Sequence, residues 1–268
     1  MKNLTWYSPE TLEEATDLLK EPGIVPHGGG TGILRTGTDR LNGLIDLRHL
    51  PLFDFKANDD TIEIGAGLTY SEVVQRMKGV DPDSILVKSL SRAAATPLRN
   101  RITVGGSIAM APVWSDLLGP LVALEAEVIL AGVQGGALPV TDYVSSRGLR
   151  AGTLVKGIRV KSDRWQSRYV RAVATHFDYA SFSITVLAKL NDRRVIEDLR
   201  LVVVGNKRKF KRLSELENRL VGQKADDLDL TGMGADTGME FSTKTIGSPE
   251  YVRHLFDVEL RRAIGTIS

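Results

Sequence analysis

Two glycine-rich segments constrain this chain of 268 residues more than any other feature: Val25-Pro26-His27-Gly28-Gly29-Gly30-Thr31-Gly32 and Thr103-Val104-Gly105-Gly106-Ser107. Each directly follows an apolar stretch, Gly23-Ile24-Val25 in one case and Arg101-Ile102-Thr103-Val104 in the other. Glycine lets the main chain approach an anion closely and offer it backbone N–H groups, where a side chain would hold it several ångströms away. One such run is an ordinary turn in most proteins. Two, each at the end of an apolar run, point to a bound dinucleotide cofactor.

The familiar cradles do not fit these runs. A dinucleotide fingerprint needs Gly-x-Gly-x-x-Gly between a strand and a helix. Counting from Gly28 the sixth position is Ile33, from Gly30 it is Arg35, and from Gly65 it is Tyr70. No Gly-Lys-Ser/Thr follows any of the glycines, which removes the P-loop. What is left is a cradle in which two loops grip one pyrophosphate.

Composition bounds the rest. The chain is 42% hydrophobic and 25% charged, with a net charge of +2, as in an ordinary globular protein. Acids and bases are mixed along it, so nucleic acid is not an expected partner. The basic cluster Lys207-Arg208-Lys209-Phe210-Lys211-Arg212 reads as a solvated loop or a contact with another subunit. No stretch approaches the ~18 apolar residues of a membrane span, and no signal-peptide core opens the chain, so the expected compartment is the cytoplasm. With no cysteine, the chain has no disulfide, no thiolate-ligated metal and no iron–sulfur cluster of its own.

The pattern of elements predicts an α+β protein. Ser8-Pro9 reads as a helix start, followed by the apolar stripe Leu12, Ala15, Leu18 and Leu19. Leu44-Ile45-Asp46-Leu47 is a buried strand, and residues 53–65 form a hairpin around Asn58-Asp59-Asp60. Thr69-Tyr70-Ser71-Glu72 is a capping box. Residues 85–95 and 117–126 read as helices, and strand–helix alternation up to about Leu130 suggests α/β layers. Beyond residue 150, strands at 154–160, 168–175, 181–190 and 195–204 suggest an antiparallel sheet. A loop at 222–247 and an amphipathic helix opened by Ser248-Pro249 complete the tail.

At this point the sequence resembles the FAD-binding (medium) subunits of the molybdenum hydroxylases, the group of xanthine dehydrogenase, carbon monoxide dehydrogenase and hydroxybenzoyl-CoA reductase. The opening Tyr7-Ser8-Pro9-Glu10-Thr11-Leu12, the Gly28–Gly32 run and Leu44-Ile45-Asp46-Leu47 are similar to that family. The most specific stretch is Leu98-Arg99-Asn100, Thr103-Val104-Gly105-Gly106-Ser107-Ile108-Ala109, Pro112 and Asp116. Ser248-Pro249-Glu250-Tyr251-Val252-Arg253 resembles the start of the family's last helix.

The resemblance implies a two-part α/β FAD-binding fold of the vanillyl-alcohol-oxidase type, in subdomains 1–52 and 53–162. An antiparallel sheet-and-helix domain would follow at 163–268. It implies non-covalent FAD, with Gly28, Gly29, Gly30, Thr31, Gly32, Thr103, Gly105, Gly106 and Ser107 around the pyrophosphate. Asp116 would accept from ribose hydroxyls or cap a helix facing a phosphate, and Tyr179 would cover a face of the isoalloxazine ring. No catalytic acid–base residue and no metal ligand is expected on this chain. The molybdenum cofactor and [2Fe–2S] clusters would sit on a large and a small partner subunit, in a dimer of heterotrimers. Electrons would pass through FAD to NAD, a quinone or dioxygen.

Two departures stand out. Gly32 replaces a side chain that adds a polar contact in the family, and Thr153 stands where a glutamate is usual. Two alternatives are a stand-alone oxidase of the vanillyl-alcohol oxidase type, whose Gly-Gly-Gly-Thr-Gly loop Gly28–Gly32 also resembles, and a flavin-free scaffold. His27 reads as a polar residue at a strand end in preference to a point of covalent flavin attachment, and His176 as a structural or interface residue.

Overall fold

The computed structural model describes residues 4–146, 152–176, 178–206, 209–244 and 246–267. The chain divides into two compact units, Met1–Arg76 with Ala95–Ala111 and Leu124–Asp163, and Met77–Ala94 with Pro112–Ala123 and Arg164–Ser268.

The first unit holds two sheets. Strands β1 (Thr5–Tyr7), β2 (Ile24–His27) and β3 (Gly43–Asp46) form a parallel sheet in the order β1-β3-β2. Helix α1 (Leu12–Leu18) brings Ala15 into a core with Ile45, Leu47, Leu50, Leu52 and Leu154, and Leu12, Leu18 and Leu19 pack at its margin. The helix starts later than Ser8-Pro9 predicts. Thr11 Oγ1 accepts from Glu14 N–H at 3.1 Å, and Glu14 Oε2 accepts from Glu10 N–H at 2.8 Å. This reciprocal cap satisfies two N–H groups, which Ser8 does not do.

The second sheet has the order β4-β5-β8-β6-β7, from β4 (Phe55–Ala57), β5 (Thr61–Gly65), β6 (Glu127–Gly132), β7 (Gly136–Pro139) and β8 (Thr153–Lys161). Every neighbouring pair is antiparallel. Residues 154–160, grouped with the tail on sequence pattern, therefore form the central strand here. The expected hairpin is present, and Asn58 Oδ1 closes it by accepting from Asp60 and Thr61 N–H at 3.0 and 2.8 Å. The capping box also forms, opening α3 (Tyr70–Val80): Glu72 Oε2 accepts from Thr69 N–H at 2.8 Å.

The second unit is built on the antiparallel order β12-β11-β10-β9, from β9 (Gln166–Ala172), β10 (Phe182–Leu190), β11 (Ile196–Asn206) and β12 (Lys209–Arg212). Strand β10 is fully buried from Phe182 to Ala188, the mark of a strand covered on both faces. The predicted turn at Asn191 is closed by its side chain, which accepts from Arg193 and Val195 N–H at 3.0 Å. The final helix, α10 (Pro249–Gly265), is capped by Ser248 as predicted. Its Phe256 packs with Phe182 and Phe241 at centroid distances of 5.4–5.8 Å, each pair contributing about 1 kcal/mol beyond area burial.

Part of the basic cluster differs from its expected loop. Residues Lys209–Arg212 are a half-buried edge strand. Lys211 Nζ donates to Thr237 O at 2.6 Å, and Arg212 Nε to Glu217 Oε2 at 2.9 Å. Long basic side chains suit an edge strand, because they reach acceptors off its flank. Lys207 and Arg208 lie outside the described residues.

No helix among the described residues is long and apolar enough to cross a membrane.

Candidate functional site

Strand β2 ends at His27, at the carboxyl end of a parallel strand, where open α/β sheets place their ligands. Gly28–Gly30 then turn the chain into the short helix α2 (Thr31–Thr36). Each glycine of this turn answers a steric demand. A Cβ on Gly29 would lie 1.5 Å from Arg101 O, and one on Gly28 would lie 2.8 Å from Thr103 Oγ1. Gly30 has φ +73°, and a Cβ there would lie 2.7 Å from His27 Nε2. That histidine ring is also packed edge-on against Trp6 at 5.0 Å, so His27 works as a prop beneath the turn.

The N–H groups of Gly29, Gly30, Thr31 and Gly32 donate to no other group among the described residues. Gly30, at the N-cap, supplies no side-chain acceptor, and the first bond of the helix is Leu34 N–H to Gly30 O at 3.0 Å. Four neighbouring amides are thus open to an acceptor from outside. The side chains nearest to these glycines are His27, Thr103 and Met110, none of them acidic. Arg101 adds a positive charge, donating from Nε (3.1 Å) and Nη2 (2.8 Å) to Gly29 O. This donor set fits an anionic group such as a pyrophosphate.

The second glycine segment lies against the first, but its chemistry differs. It is the start of a helix, α6 (Val104–Met110), in place of the expected open loop. Thr103 caps that helix with Oγ1 accepting from Gly106 N–H at 3.2 Å. Val104 N–H donates to Leu68 O at 2.9 Å, Gly105 N–H to Ala66 O at 2.8 Å, and Ser107 N–H to Thr103 O at 3.0 Å. Ser107 Oγ also donates to Thr103 O, at 2.9 Å. Gly105 is buried, and a Cβ there would lie 2.8 Å from Ala66 Cβ, so this glycine permits close packing. Gly106 alone of the segment is exposed, with open space beyond the Thr103 hydroxyl.

Asp116 and Tyr179 belong to the second unit. Asp116 is buried, and its Oδ1 accepts from Tyr169 OH at 2.7 Å and from Arg171 Nε at 3.0 Å. Burial pushes its carboxyl above the ordinary carboxylate value, while the Arg171 charge and the two hydrogen bonds pull the other way. Burial likewise raises the Tyr169 hydroxyl well above its ordinary value, with the Asp116 charge adding to it. The hydroxyl that caps α7 (Leu118–Ala123) comes from Ser115, whose Oγ accepts from Leu117 and Leu118 N–H at 3.3 and 3.1 Å. Arg171 extends the network by donating from Nη2 to Asp178 O at 2.6 Å and from Nη1 to His176 O at 3.3 Å. Tyr179 follows this anchored turn, 57% exposed, with its ring 4.9 Å from that of Trp114.

Arg101, Tyr169, Arg171 and Trp114 were not singled out by motif. Trp114 lies inside the Pro112–Asp116 stretch, where an aromatic residue beside a ligand motif is a usable signal. The other three act through contacts that are distant in sequence.

Known proteins similar to this chain identify its family. Residues 2–160 match the family described as FAD binding domain in molybdopterin dehydrogenase. The chain belongs to this family. Residues 168–267 match a second one, the CO dehydrogenase flavoprotein C-terminal domain. Among similar proteins, the nicotinate dehydrogenase FAD-subunit of Eubacterium barkeri is 28% identical over 56% of this chain and 53% of its own length. The nicotine 6-hydroxylase medium subunit of Paenarthrobacter nicotinovorans is 27% identical over 97% of this chain and 96% of its own. In fold, the chain resembles one in CO dehydrogenase from Oligotropha carboxidovorans, with a TM-score of 0.87, 21% identity, and coverage of 98% and 96%. The molybdopterin dehydrogenase family places the chain as an FAD-binding medium subunit of the molybdenum hydroxylases, an oxidoreductase component.

Proposed function

We propose that the chain holds FAD non-covalently, with the pyrophosphate received by the N–H groups of Gly29, Gly30, Thr31 and Gly32. The observation that carries this reading is that these four neighbouring amides, beside the Arg101 charge, have no acceptor among the described residues. Gly28 and Thr103 close the rear of the cradle. Gly105 lets α6 approach, leaving exposed Gly106 as a point of close approach for the ligand, while the Ser107 hydroxyl donates its one proton to Thr103 O. In the second unit the Tyr179 ring is exposed, and Asp116, through Arg171, anchors the turn that precedes it. Gly32 is compatible with this role, because its contribution is a backbone N–H that needs no side chain.

When bound, FAD would supply a redox centre that takes electrons singly or in pairs. The chain's own part is to bind that group, orient it and set its surroundings. Electrons would arrive from [2Fe–2S] clusters of a small subunit, fed by a large molybdenum-cofactor subunit, and leave to NAD, a quinone or dioxygen. A dimer of such heterotrimers in the cytoplasm is the assembly we favour, with residues 1–162 carrying the flavin. The medium-subunit and FAD-subunit names of the similar proteins support this arrangement.

Denaturing the purified complex tests the reading. Release of one FAD per copy of this chain is expected. A complex that assembles without flavin would contradict it and favour a scaffold role, and rapid flavin reduction by a 2-hydroxy acid in the isolated chain would favour a stand-alone oxidase.

A further inference from the structure

Arg101 stands behind the first glycine segment and belongs to neither glycine run. Its own backbone is fixed on both sides. Arg101 N–H and Ile102 N–H both donate to Leu98 O at 2.9 Å, and Ile102 O accepts from Tyr70 N–H at 2.9 Å. The Arg101 carbonyl occupies the space where any residue but glycine at position 29 would place its Cβ. From this fixed base the guanidinium reaches across and sets two donors, Nε and Nη2, on the single oxygen of Gly29 at 3.1 and 2.8 Å. Backbone contact and side-chain fork therefore hold the same residue from two directions.

The consequence follows from peptide geometry. In a trans peptide the C=O of one residue and the N–H of the next point to opposite sides of the chain, and this chain has no cis bond among its described residues. With Gly29 O held toward Arg101, the N–H of Gly30 is held away from it. Gly30 then turns at φ +73°, and Thr31 and Gly32 present the next two amides. A glycine run left to itself rotates its peptide planes freely and loses that freedom on binding. Held by Arg101, it meets its ligand already oriented.

We propose that Arg101 is a positioning residue for the diphosphate cradle: by fixing the Gly29–Gly30 peptide it aims the Gly30 amide, and the two that follow, at a ligand diphosphate. The proposal rests on the FAD reading above and assigns Arg101 no direct contact with the ligand. Its charge contributes through one intervening peptide.

Titration of the full-length apo chain with FAD, followed by flavin fluorescence, tests it. Arg101→Ala should weaken FAD binding about tenfold to a hundredfold, the range for losing a charged hydrogen-bond donor. Arg101 is exposed, so the thermal midpoint of the apo chain should barely move. Arg101→Lys, which keeps the charge and one donor, should recover part of the loss. Guanidinium ion at millimolar concentration should restore affinity to Arg101→Ala and leave Gly29→Ala unimproved, because the ion can refill the donor site left by the side chain but cannot relieve a Cβ at position 29. Arg101→Ala with a dissociation constant within about twofold of the wild type would overturn the proposal alone. A wild-type chain that binds no FAD would overturn the functional reading with it.

Discussion

The two glycine segments look alike on paper and do opposite things in the fold. In Gly28–Gly32 the amides from Gly29 onward have no acceptor among the described residues, and the glycines are needed because Arg101, Thr103 and His27 crowd them from behind. In Val104–Ser107 every amide already has an acceptor, from Leu68, Ala66 or Thr103. Glycine therefore answers two separate needs, space for a neighbouring chain and access to the amide, and only the location of the hydrogen-bond acceptors tells them apart. The same division covers the second unit, where Asp116 Oδ1 is engaged by Tyr169 and Arg171 while the ring of Tyr179 stays exposed. Groups engaged inside the protein should govern stability, and open groups should govern ligand affinity.

Substitution at Gly29 puts the heaviest load on that contrast. A Cβ 1.5 Å from a backbone oxygen has no rotamer that relieves it, so Gly29→Ala must move the main chain. We expect a loss of at least ~3 kcal/mol in thermal or denaturant unfolding, together with loss of FAD. Retention of both would break the account of the first segment.

Next in size is the buried pair. Asp116→Asn leaves the Arg171 guanidinium buried without its counter-charge and should cost about 3 kcal/mol in urea unfolding. Tyr169→Phe should cost about 2 kcal/mol and change the pH profile as well. The folded chain holds the Tyr169 proton well above 10.0, the value to which the hydroxyl returns on unfolding. Above about pH 10 the folded state therefore binds more protons than the unfolded, and stability falls as pH rises through the folded value. Tyr169→Phe should flatten that alkaline limb in a series of urea titrations; an unchanged limb would remove Tyr169 from the account.

The second segment supplies the finer test. Gly105→Ala sets a Cβ against Ala66 and should destabilise by about 1–3 kcal/mol. Gly106→Ala sets a Cβ 2.9 Å from the Thr103 hydroxyl that caps α6, so it should cost about 1 kcal/mol, the worth of that cap. Any drop in FAD affinity it causes would report direct approach of the ligand at Gly106. Smallest of all, Gly32→Ala displaces only the flexible side chain of half-exposed Met110 and should cost under ~1 kcal/mol with FAD still bound.

What was legible in the sequence was local or strongly periodic. The Thr69–Glu72 box, the Asn58 and Asn191 turns and the Ser248 cap each rest on residues within four positions of one another, and all formed. Strand β10 announced itself by an apolar run. The short helices around the glycines were not visible, because α5 (Thr96–Arg99) and α6 carry Pro or Gly and no apolar stripe long enough to show a period. Arg101 reaches Gly29 across 72 positions, and Arg171 reaches Asp116 across 55, distances at which no single-sequence pattern speaks. Ligand motifs could thus be named, while the side chains that hold them in place could only be seen in the fold.

Residue-resolved amide hydrogen exchange, with and without FAD, tests the central claim most directly. In the apo chain the amides of Gly29, Gly30, Thr31 and Gly32 should exchange freely, and those of Val104 and Gly105 slowly. FAD should slow the first set strongly and change the second little. Slow exchange at Gly29–Gly32 before FAD is added, or protection by FAD confined to Val104–Ser107, would contradict the assignment of the open amides as the ones that grip the ligand.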